Sequence, residues 1–212
     1  TALEPAIENV GLDPMDFPAL VDFAQREQVT LTVVGPEAPL VAGVVDHFRA
    51  AGLRCFGPGG AAARLEGSKA FSKDFLARHD IPTATYATFT ELEPALAFLC
   101  ERGAPIVVKA DGLAAGKGVI VAATLDEAEA AVTDRLSGNA FGEAGCRVVI
   151  EEFLEGEEAR FIVVCDGQNI VPMATSQDHK RALEGDLGPN TGGMGAYSPA
   201  PVVDEAVHAR IM

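Results

Sequence analysis

The stretch VVKADGLAAGKGV (residues 107–119) decides which fold the chain is predicted to adopt. A β-branched run enters a loop of Gly and Ala, and a second apolar run leaves it, which predicts two strands joined by a glycine-rich loop. Backbone N–H groups without neighbouring side chains can approach an oxyanion closely, and Lys109 and Lys117 add the positive charge that a polyphosphate requires. An ordinary glycine-rich hairpin with two solvated lysines remains open from these residues alone. The glycines of the loop are Gly112, Gly116 and Gly118.

Two common phosphate-binding motifs do not fit this loop. A P-loop requires G-x-x-x-x-G-K-[ST], whereas Gly112 and Gly116 have three residues between them and Gly118, not a hydroxyl residue, follows Lys117. A dinucleotide-binding fingerprint opens a helix, whereas GKGVIV continues into an apolar strand. The second mismatch disfavours a dehydrogenase.

Composition excludes several classes of protein. The 212 residues are 48% hydrophobic, which is enough for a folded core, and their formal net charge of −15 argues against a nucleic-acid-binding surface. No apolar run approaches the ~18 residues of a membrane span. The four cysteines form no C-x-x-C pair. Their scatter argues against a metal or disulfide framework and suits a reducing cytosol, so we predict a cytoplasmic protein.

The first part of the chain alternates helical and strand patterns, which predicts a βαβ unit with a parallel sheet. The predicted strands are a buried one at 30–35 and another at 53–57, with a helix from about Pro39 between them. Further helices are predicted at 16–28 and at 67–82, the second with Ser68 as its N-cap.

The second part predicts a small α+β unit with an antiparallel sheet. Its helices are expected at 90–102 and 125–136, the latter capped by Thr124, and Asp166-Gly167 indicates a hairpin turn. The fold class is therefore α/β. We predict an incomplete N-terminal βαβ domain at 1–86, a small α+β subdomain with the glycine loop at 87–154, and the start of a larger subdomain at 155–212.

Two polar segments add candidate sites. VVIEEFLEGEEARF (148–161) ends a strand in acids and apolar groups that could pair with an adenine, stack on it and hold a ribose; a solvated acidic turn is the alternative. SQDHKR (176–181) gathers charges after a strand, with the glycine-rich GPNTGGMGAYSPAP (188–201) close behind as a long loop. A surface cluster is the default there, and an anion site is the alternative.

These segments in this order, together with GSKAF (67–71), resemble the ATP-grasp ligases, and in particular the family of phosphoribosylamine–glycine ligases of de novo purine synthesis. The resemblance covers essentially the whole chain. It implies ATP-grasp α+β subdomains after the parallel-sheet domain, the second of them incomplete. Within the superfamily, another carboxylate–amine or carboxylate–thiol ligase is the alternative, and a catalytically inactive nucleotide-binding module is an alternative of a different class.

The resemblance also implies a reaction. ATP phosphorylates the carboxylate of glycine, the amine of 5-phosphoribosylamine attacks the glycyl phosphate, and glycinamide ribonucleotide, ADP and phosphate leave. Such chemistry depends on positioning and on cations around the transferring phosphoryl group, and it needs no covalent protein nucleophile. ATP and Mg²⁺ or Mn²⁺ are the implied cofactors, and the sequence is compatible with a monomer.

Site residues follow from the resemblance position by position. Lys69 and Lys109 would contact the phosphates of ATP, and the glycine loop would cover these phosphates. Residues 151–154 would line the adenine, and Glu158 would hold the ribose. The implied ATP-binding set is Lys69, Lys109, Gly112, Gly116, Lys117, Gly118, Glu151, Glu152, Phe153, Leu154 and Glu158. The implied catalytic set is Asp178, Lys180, Arg181 and Asn190, and the implied substrate set is Glu37, Asp178 and Lys180.

The two ends of the sequence lead to further predictions. The sequence starts without Met and stops inside a helical pattern, which predicts a segment of a longer protein. The family's substrate-phosphate turn is expected before Thr1, and its metal-binding acid and asparagine after Met212. No residue of the chain is therefore assigned to a metal, and the chain alone is expected to be inactive.

Overall fold

The computed structural model describes residues 7–113, 118–137, 147–185 and 187–212. The chain divides into two compact units, one that ends at Phe153 and one that runs from Leu154 to Met212. Among the described residues, no helix combines the length and the apolar character that crossing a membrane requires.

The first unit begins with helices around a short parallel strand pair. In chain order its elements are α1 (Phe17–Arg26), β1 (Thr32–Val33), α2 (Glu37–Val41), α3 (Val44–Ala50), β2 (Cys55–Phe56), α4 (Gly60–Gly67) and α5 (Lys69–Arg78). β1 pairs with β2 in parallel, as the βαβ pattern predicts. Phe17, Val45 and Phe48 are buried in the core of this region, so the apolar stripes of α1 and α3 pack together.

Two sequence predictions for this region are wrong in detail, and one helix was missed. The helix predicted from Pro39 is interrupted at Gly43, whose φ of 90° is a left-handed conformation that ends α2 before α3 begins. The strand at 30–35 is shorter than predicted and is not buried: β1 has only two residues, and the side chain of Val33 is 65% exposed. α4 was not predicted at all.

A four-stranded antiparallel sheet forms the rest of the first unit. Its elements are β3 (Tyr86–Phe89), α6 (Leu92–Arg102), β4 (Ile106–Ala110), β5 (Val119–Ala122), α7 (Leu125–Leu136) and β6 (Val148–Glu152), and the strand order is β3-β6-β4-β5. The predicted strands on either side of the glycine loop are confirmed as the neighbours β4 and β5. The predicted caps are confirmed too: Ser68 and Thr124 each accept a hydrogen bond from the backbone N–H three residues on.

The helices α6 and α7 pack on one face of this sheet. Val108 and Ile150 are fully buried against Leu99 and Val132 from these helices. Because side chains alternate along a strand, the residues next to Val108 and Ile150 in sequence lie on the opposite face. That opposite face carries Lys109 of β4 and an acidic residue of β6. Packing of the apolar face against the helices therefore fixes the face on which these two polar residues lie.

The second unit contains two antiparallel hairpins and a short helix, namely β7 (Val163–Cys165), β8 (Ile170–Pro172), β9 (Gln177–Leu183), β10 (Leu187–Tyr197) and α8 (Glu205–Ile211). The predicted turn at Asp166-Gly167 is confirmed, with Gly167 at a φ of 96°. The loop interpretation of 188–201 is wrong for most of its length, and SQDHKR lies in a strand rather than after one. Gly and Pro are tolerated in β10 because its pairing with β9 is irregular, with register shifts on either side of Asn190.

Candidate functional site

The first turns of α5 supply two lysines to one surface. Ser68 caps the helix by accepting from the backbone N–H of Phe71 at 3.1 Å. Lys69 and Lys73 follow at a spacing of four residues, so they lie on the same face of the helix. The cap therefore sets where the helix starts and, with it, the helix face on which both lysines lie.

The sheet supplies a third lysine and a carboxylate. Val107 of β4 lies directly opposite Glu151 of β6, and Lys109 is two residues further along β4. Lys109 and Glu151 are therefore diagonal neighbours on the same face of the sheet, a separation that long side chains can span.

These side chains meet in a buried ion cluster. The Nζ atoms of Lys73 and Lys109 each lie 2.9 Å from the same oxygen, Oε2 of Glu151. The side chain of Glu151 is 6% exposed, that of Lys73 is 10% exposed, and that of Lys109 is 26% exposed. Two ammonium groups on one carboxylate leave the cluster with a net positive charge, which favours an anionic ligand.

The start of the glycine loop is tied to the start of α5. Lys69 donates from Nζ to the carbonyl oxygen of Gly112 at 2.8 Å. The carboxylate of Asp111 accepts from Ser68 Oγ at 3.1 Å and from the backbone N–H of Ala70 at 3.2 Å. These bonds hold the loop's first residues against the helix that carries Lys69 and Lys73.

The other side of the loop closes onto β4. The backbone N–H of Ala110 donates to the carbonyl oxygen of Gly118 at 2.8 Å, so the base of the loop is paired. Gly116 and Lys117, which belong to the predicted ATP-binding set, lie outside the described residues.

A cavity of about 270 Å³ opens over the cluster. Lys69, Lys73, Lys109 and Glu151 line it, together with the apolar side chains of Leu65, Leu76 and Val119 and with Glu66 and Ser72. A cavity lined by both cations and apolar groups suits a ligand that is partly anionic and partly apolar. The structure thus brings Lys69, Lys109 and Glu151 of the predicted ATP-binding set together in one place.

The three residues after Glu151, which also belong to the predicted ATP-binding set, do not join the ion cluster. Glu152 accepts from the backbone N–H of Thr85 at 2.9 Å, and this hydrogen bond lowers the pKa of its carboxyl. Its backbone N–H donates to the carbonyl of Thr85, so it is already occupied within the sheet. Phe153 is half-buried and Leu154 is 63% exposed, and both follow the last residue of β6.

The second unit holds a separate charged cluster. Arg160 donates from Nε and Nη2 to the two carboxylate oxygens of Asp178, at 2.9 and 3.0 Å. Lys180 Nζ lies 3.0 Å from Glu158 and 3.7 Å from Asp178. The Arg160 hydrogen bonds, with a smaller contribution from the charge of Lys180, lower the pKa of Asp178. Asp178, Lys180 and Glu158 of the predicted sets therefore form one network.

The three remaining predicted residues are Arg181, Asn190 and Glu37. Arg181 donates from Nη1 to the carbonyl of Gly188 at 3.0 Å, across the β9–β10 hairpin. Asn190 lies opposite Arg181 in the strand register, and its side chain is outside the described residues. Glu37 is exposed at the first position of α2 and does not line the cavity.

Two charged residues of these clusters were missed in the sequence. Lys73 shares Glu151 with Lys109, and its spacing of four residues from Lys69 is a helical signal that could have placed it beside that lysine. Arg160 pairs with Asp178 across the second unit, and no local pattern marks that contact. In the part of the chain that the structure describes, no three His, Cys, Asp or Glu side chains lie close enough together to hold a metal ion.

Family profiles match almost the whole chain. The profile of the phosphoribosylglycinamide synthetase N domain matches residues 2–66, and that of the phosphoribosylglycinamide synthetase ATP-grasp (A) domain matches residues 67–212. Phosphoribosylamine–glycine ligase of Escherichia coli K12 is 73% identical over all 212 residues, and that of Pasteurella multocida is 74% identical over the same length. The chain spans about half the length of these curated relatives, 49% in both cases.

Solved structures agree on the fold. Phosphoribosylamine–glycine ligase of Thermotoga maritima matches with a TM-score of 0.63 and 38% identity, over 69% of this chain and 38% of that one. Biotin carboxylase of Campylobacter jejuni matches with a TM-score of 0.73 at 19% identity, over 92% of this chain and 44% of that one. The ADP complex of N5-carboxyaminoimidazole ribonucleotide synthetase matches with a TM-score of 0.71 at 16% identity, over 95% of this chain and 49% of that one. The last two show the fold alone, and together the three confirm the predicted fold class.

Proposed function

The chain belongs to the phosphoribosylglycinamide synthetase family, as its motifs predicted, and from that premise we propose that the full-length protein joins glycine to 5-phosphoribosylamine at the expense of ATP. The products are glycinamide ribonucleotide, ADP and phosphate. The observation that carries this proposal is the whole-chain similarity to the curated phosphoribosylamine–glycine ligases.

The cavity of the first unit supports the nucleotide half of the proposal. Lys69 and Lys109 present ammonium groups to one space, at the root of a glycine loop. A triphosphate carries several negative charges, and charge-assisted hydrogen bonds from lysine stabilise it most where water is partly excluded. We assign Lys69 and Lys109 to the phosphates of ATP and residues 151–154 to its adenine end.

Within this assignment, backbone groups are proposed to pair with the adenine and apolar side chains to contact its ring. Glu151 is occupied by two lysines, and the backbone N–H of Glu152 is occupied by Thr85. The backbone beyond the end of β6, at Phe153 and Leu154, is then the segment proposed to pair with the base. The apolar side chains of Leu65, Leu76 and Val119 would contact the ring or the sugar.

The chemical steps need positioning and charge rather than a protein nucleophile. A carboxylate oxygen of glycine attacks the γ-phosphorus of ATP, the bond to ADP breaks, and glycyl phosphate forms. The amine of 5-phosphoribosylamine then attacks the glycyl carbonyl, phosphate leaves and a proton is lost from nitrogen. Lysine ammonium groups near the transferring phosphoryl group stabilise the charge that develops on its oxygens.

The charged network of the second unit is proposed to serve the substrates. Asp178 is held by Arg160 and stays ionised, so it can orient an ammonium group such as that of glycine. Lys180 and Arg181 are the cations proposed to face anionic groups in the phosphoryl-transfer region, with Asn190 as a neutral partner on the facing strand. Glu37 is proposed to contact the ribosyl group.

A divalent metal, Mg²⁺ or Mn²⁺, is proposed to accompany the bound ATP, where it would supply positive charge to the phosphates. The residues of this chain are assigned to the nucleotide and the substrates only. A cytoplasmic location, small-molecule substrates and no nucleic-acid partner complete the proposal.

A coupled ADP-release assay on the full-length protein tests the substrate assignment. We expect ADP to form only when glycine and 5-phosphoribosylamine are both supplied, because the acyl phosphate is productive only with its amine acceptor. Single omissions of either substrate are the controls. Formation of ADP with another acid and amine, and none with this pair, would identify a different carboxylate–amine ligase of the same fold.

A further inference from the structure

The two lysines that share Glu151 differ in how firmly they are held. Lys73 Nζ forms an ion pair with Glu151 Oε2 at 2.9 Å, and it donates to Thr83 Oγ1 at 2.7 Å and to the carbonyl oxygen of Ala84 at 3.3 Å. One ion pair and two hydrogen bonds, all to protein groups, therefore hold this ammonium group. The rotation of this side chain is therefore restricted from three directions.

Lys109 has fewer restraints. Within the part of the chain that the structure describes, Glu151 is its one hydrogen-bonding or ionic partner, at 2.9 Å. Its side chain is 26% exposed, against 10% for Lys73, and it lines the cavity. Among the described residues, the ammonium group of Lys109 thus has fewer protein partners than that of Lys73, and it lies at a cavity that can hold a ligand.

Because Glu151 is buried, it needs a counterion at all times, and this makes the difference between Lys73 and Lys109 important. A carboxylate that is 6% exposed is strongly destabilised when it loses its only counterion, because neither water nor protein then compensates its charge. If Lys109 were the sole partner, moving its ammonium group toward a phosphate would leave Glu151 uncompensated. With Lys73 in place, Glu151 keeps one counterion while Lys109 moves.

We propose that Lys73 is a positioning residue of the nucleotide site: it neutralises Glu151 permanently and so releases Lys109 to contact the phosphates of ATP. The inference rests on the proposed function, since it concerns the same cavity. Lys73 also keeps the net charge of the cluster positive, and without it the Lys109–Glu151 pair would be neutral and would attract a polyanion less.

A double-mutant cycle in the full-length protein separates this role from a structural one. Binding of a non-hydrolysable ATP analogue is measured by titration calorimetry, and the KM for ATP and kcat by ADP release. We expect Lys73→Met to weaken analogue binding and raise the KM for ATP by about 10-fold or more, because Glu151 then retains Lys109. In a Glu151→Gln background the same substitution is expected to change binding by less than about 2-fold, since no carboxylate competes for Lys109. An equal factor in both backgrounds would overturn the proposal.

Two further substitutions test the charge itself. Lys73→Arg keeps the positive charge and is expected to stay within about 3-fold of the wild type in analogue affinity. Lys73→Gln keeps a donor but not the charge, and it serves as the second neutral variant if Lys73→Met does not fold. Wild-type affinity for Lys73→Gln would contradict the role of a counterion.

Arg78→Met is the matched control, because it removes a cation from the same helix α5 at an exposed position that does not line the cavity. Its affinity is expected to equal that of the wild type. Failure of the wild-type protein to bind the analogue would reject the proposed function and this inference together. Normal wild-type binding and turnover, with an unaltered Lys73→Met variant, would reject the role of Lys73 alone.

Discussion

The ammonium group of Lys109 lies 2.9 Å from the carboxylate of Glu151, on a neighbouring antiparallel strand. Both side chains project from the sheet face opposite the packed helices, and the first is more exposed than the second. Strand register thus places a partly exposed cation beside a buried anion. The predictions below address this pair and the framework that supports it.

Lys109→Met in the full-length protein is expected to lower kcat/KM for ATP by about 100-fold, because the transferring phosphates lose a charged hydrogen-bond donor in a partly water-excluded site. The ADP-release assay measures this effect. Arg26→Met, at a residue whose side chain is 67% exposed on α1, is the control and is expected to leave kcat/KM unchanged. Near-normal ATP use by Lys109→Met would rule out the assigned contact.

Glu151→Gln is expected to lower the free energy of unfolding by about 2–4 kcal/mol, since one buried and one partly exposed ammonium group lose their shared counterion while a hydrogen-bond acceptor remains. Glu152→Gln, at the next position, is the matched control. Its carboxylate is exposed and accepts from Thr85, so a much smaller loss is expected. Urea denaturation of both variants measures the two losses in the free energy of unfolding. Equal losses would contradict the prediction that the buried ion pairs of Glu151 stabilise the protein.

Gly57→Ala is expected to destabilise the first unit by about 1–3 kcal/mol through overpacking. A Cβ at Gly57 would lie 2.9 Å from Leu40 Cδ2 and 3.0 Å from Val45 Cγ2, and the φ of 155° adds backbone strain. Gly35→Ala is the control, because a Cβ there meets no atom within 4 Å. Thermal unfolding of the two variants makes the comparison. Indistinguishable melting temperatures would contradict the close packing at the end of β2.

The carboxyl of Asp166 is expected to titrate near a pKa of about 2, below its ordinary value of 3.8. Hydrogen bonds from Asn169, through its backbone N–H and its side-chain amide, and from the backbone N–H of Gln168 stabilise the charged form. Because the folded-state pKa is lowered, the contribution of this turn to stability is present above pH 3.8 and is lost as the pH falls through about 2. Carboxyl chemical shifts followed by NMR between pH 1.5 and 5 would report the midpoint; a midpoint near the ordinary value would contradict these bonds.

Much of the fold could be predicted because its signals are local. The bounds 125–136 of α7, its Thr124 cap and the Asp166-Gly167 turn follow from periodicity and from residues within a few positions of each other. The split of the predicted helix at Gly43 was missed because glycine tolerates both helical and left-handed backbone, and packing decides which one forms. The strand β10 was missed because its hydrogen bonds come from β9, against the preference of its Gly and Pro residues.

The candidate site also has a part that the sequence predicted and a part that it could not predict. Lys69, Lys109 and Glu151 could be named from the motifs, and the structure lines one cavity with them. The contact between Lys73 and Glu151 could not be named, since it joins a helix to a strand far along the chain. The Arg160–Asp178 pair is of the same kind, because it depends on how Arg160 lies against β9.

By itself, the sequence determined which segments become helices and strands around the glycine loop, and it determined the family to which the chain belongs. Residue types at fixed spacings along the backbone are enough for both, because caps, turns and periodic apolar faces act over a few residues. Only the tertiary structure decided that one buried carboxylate serves two lysines from different elements. Such a pairing depends on strand register and helix packing, which bring distant residues within hydrogen-bond distance and exclude water from them.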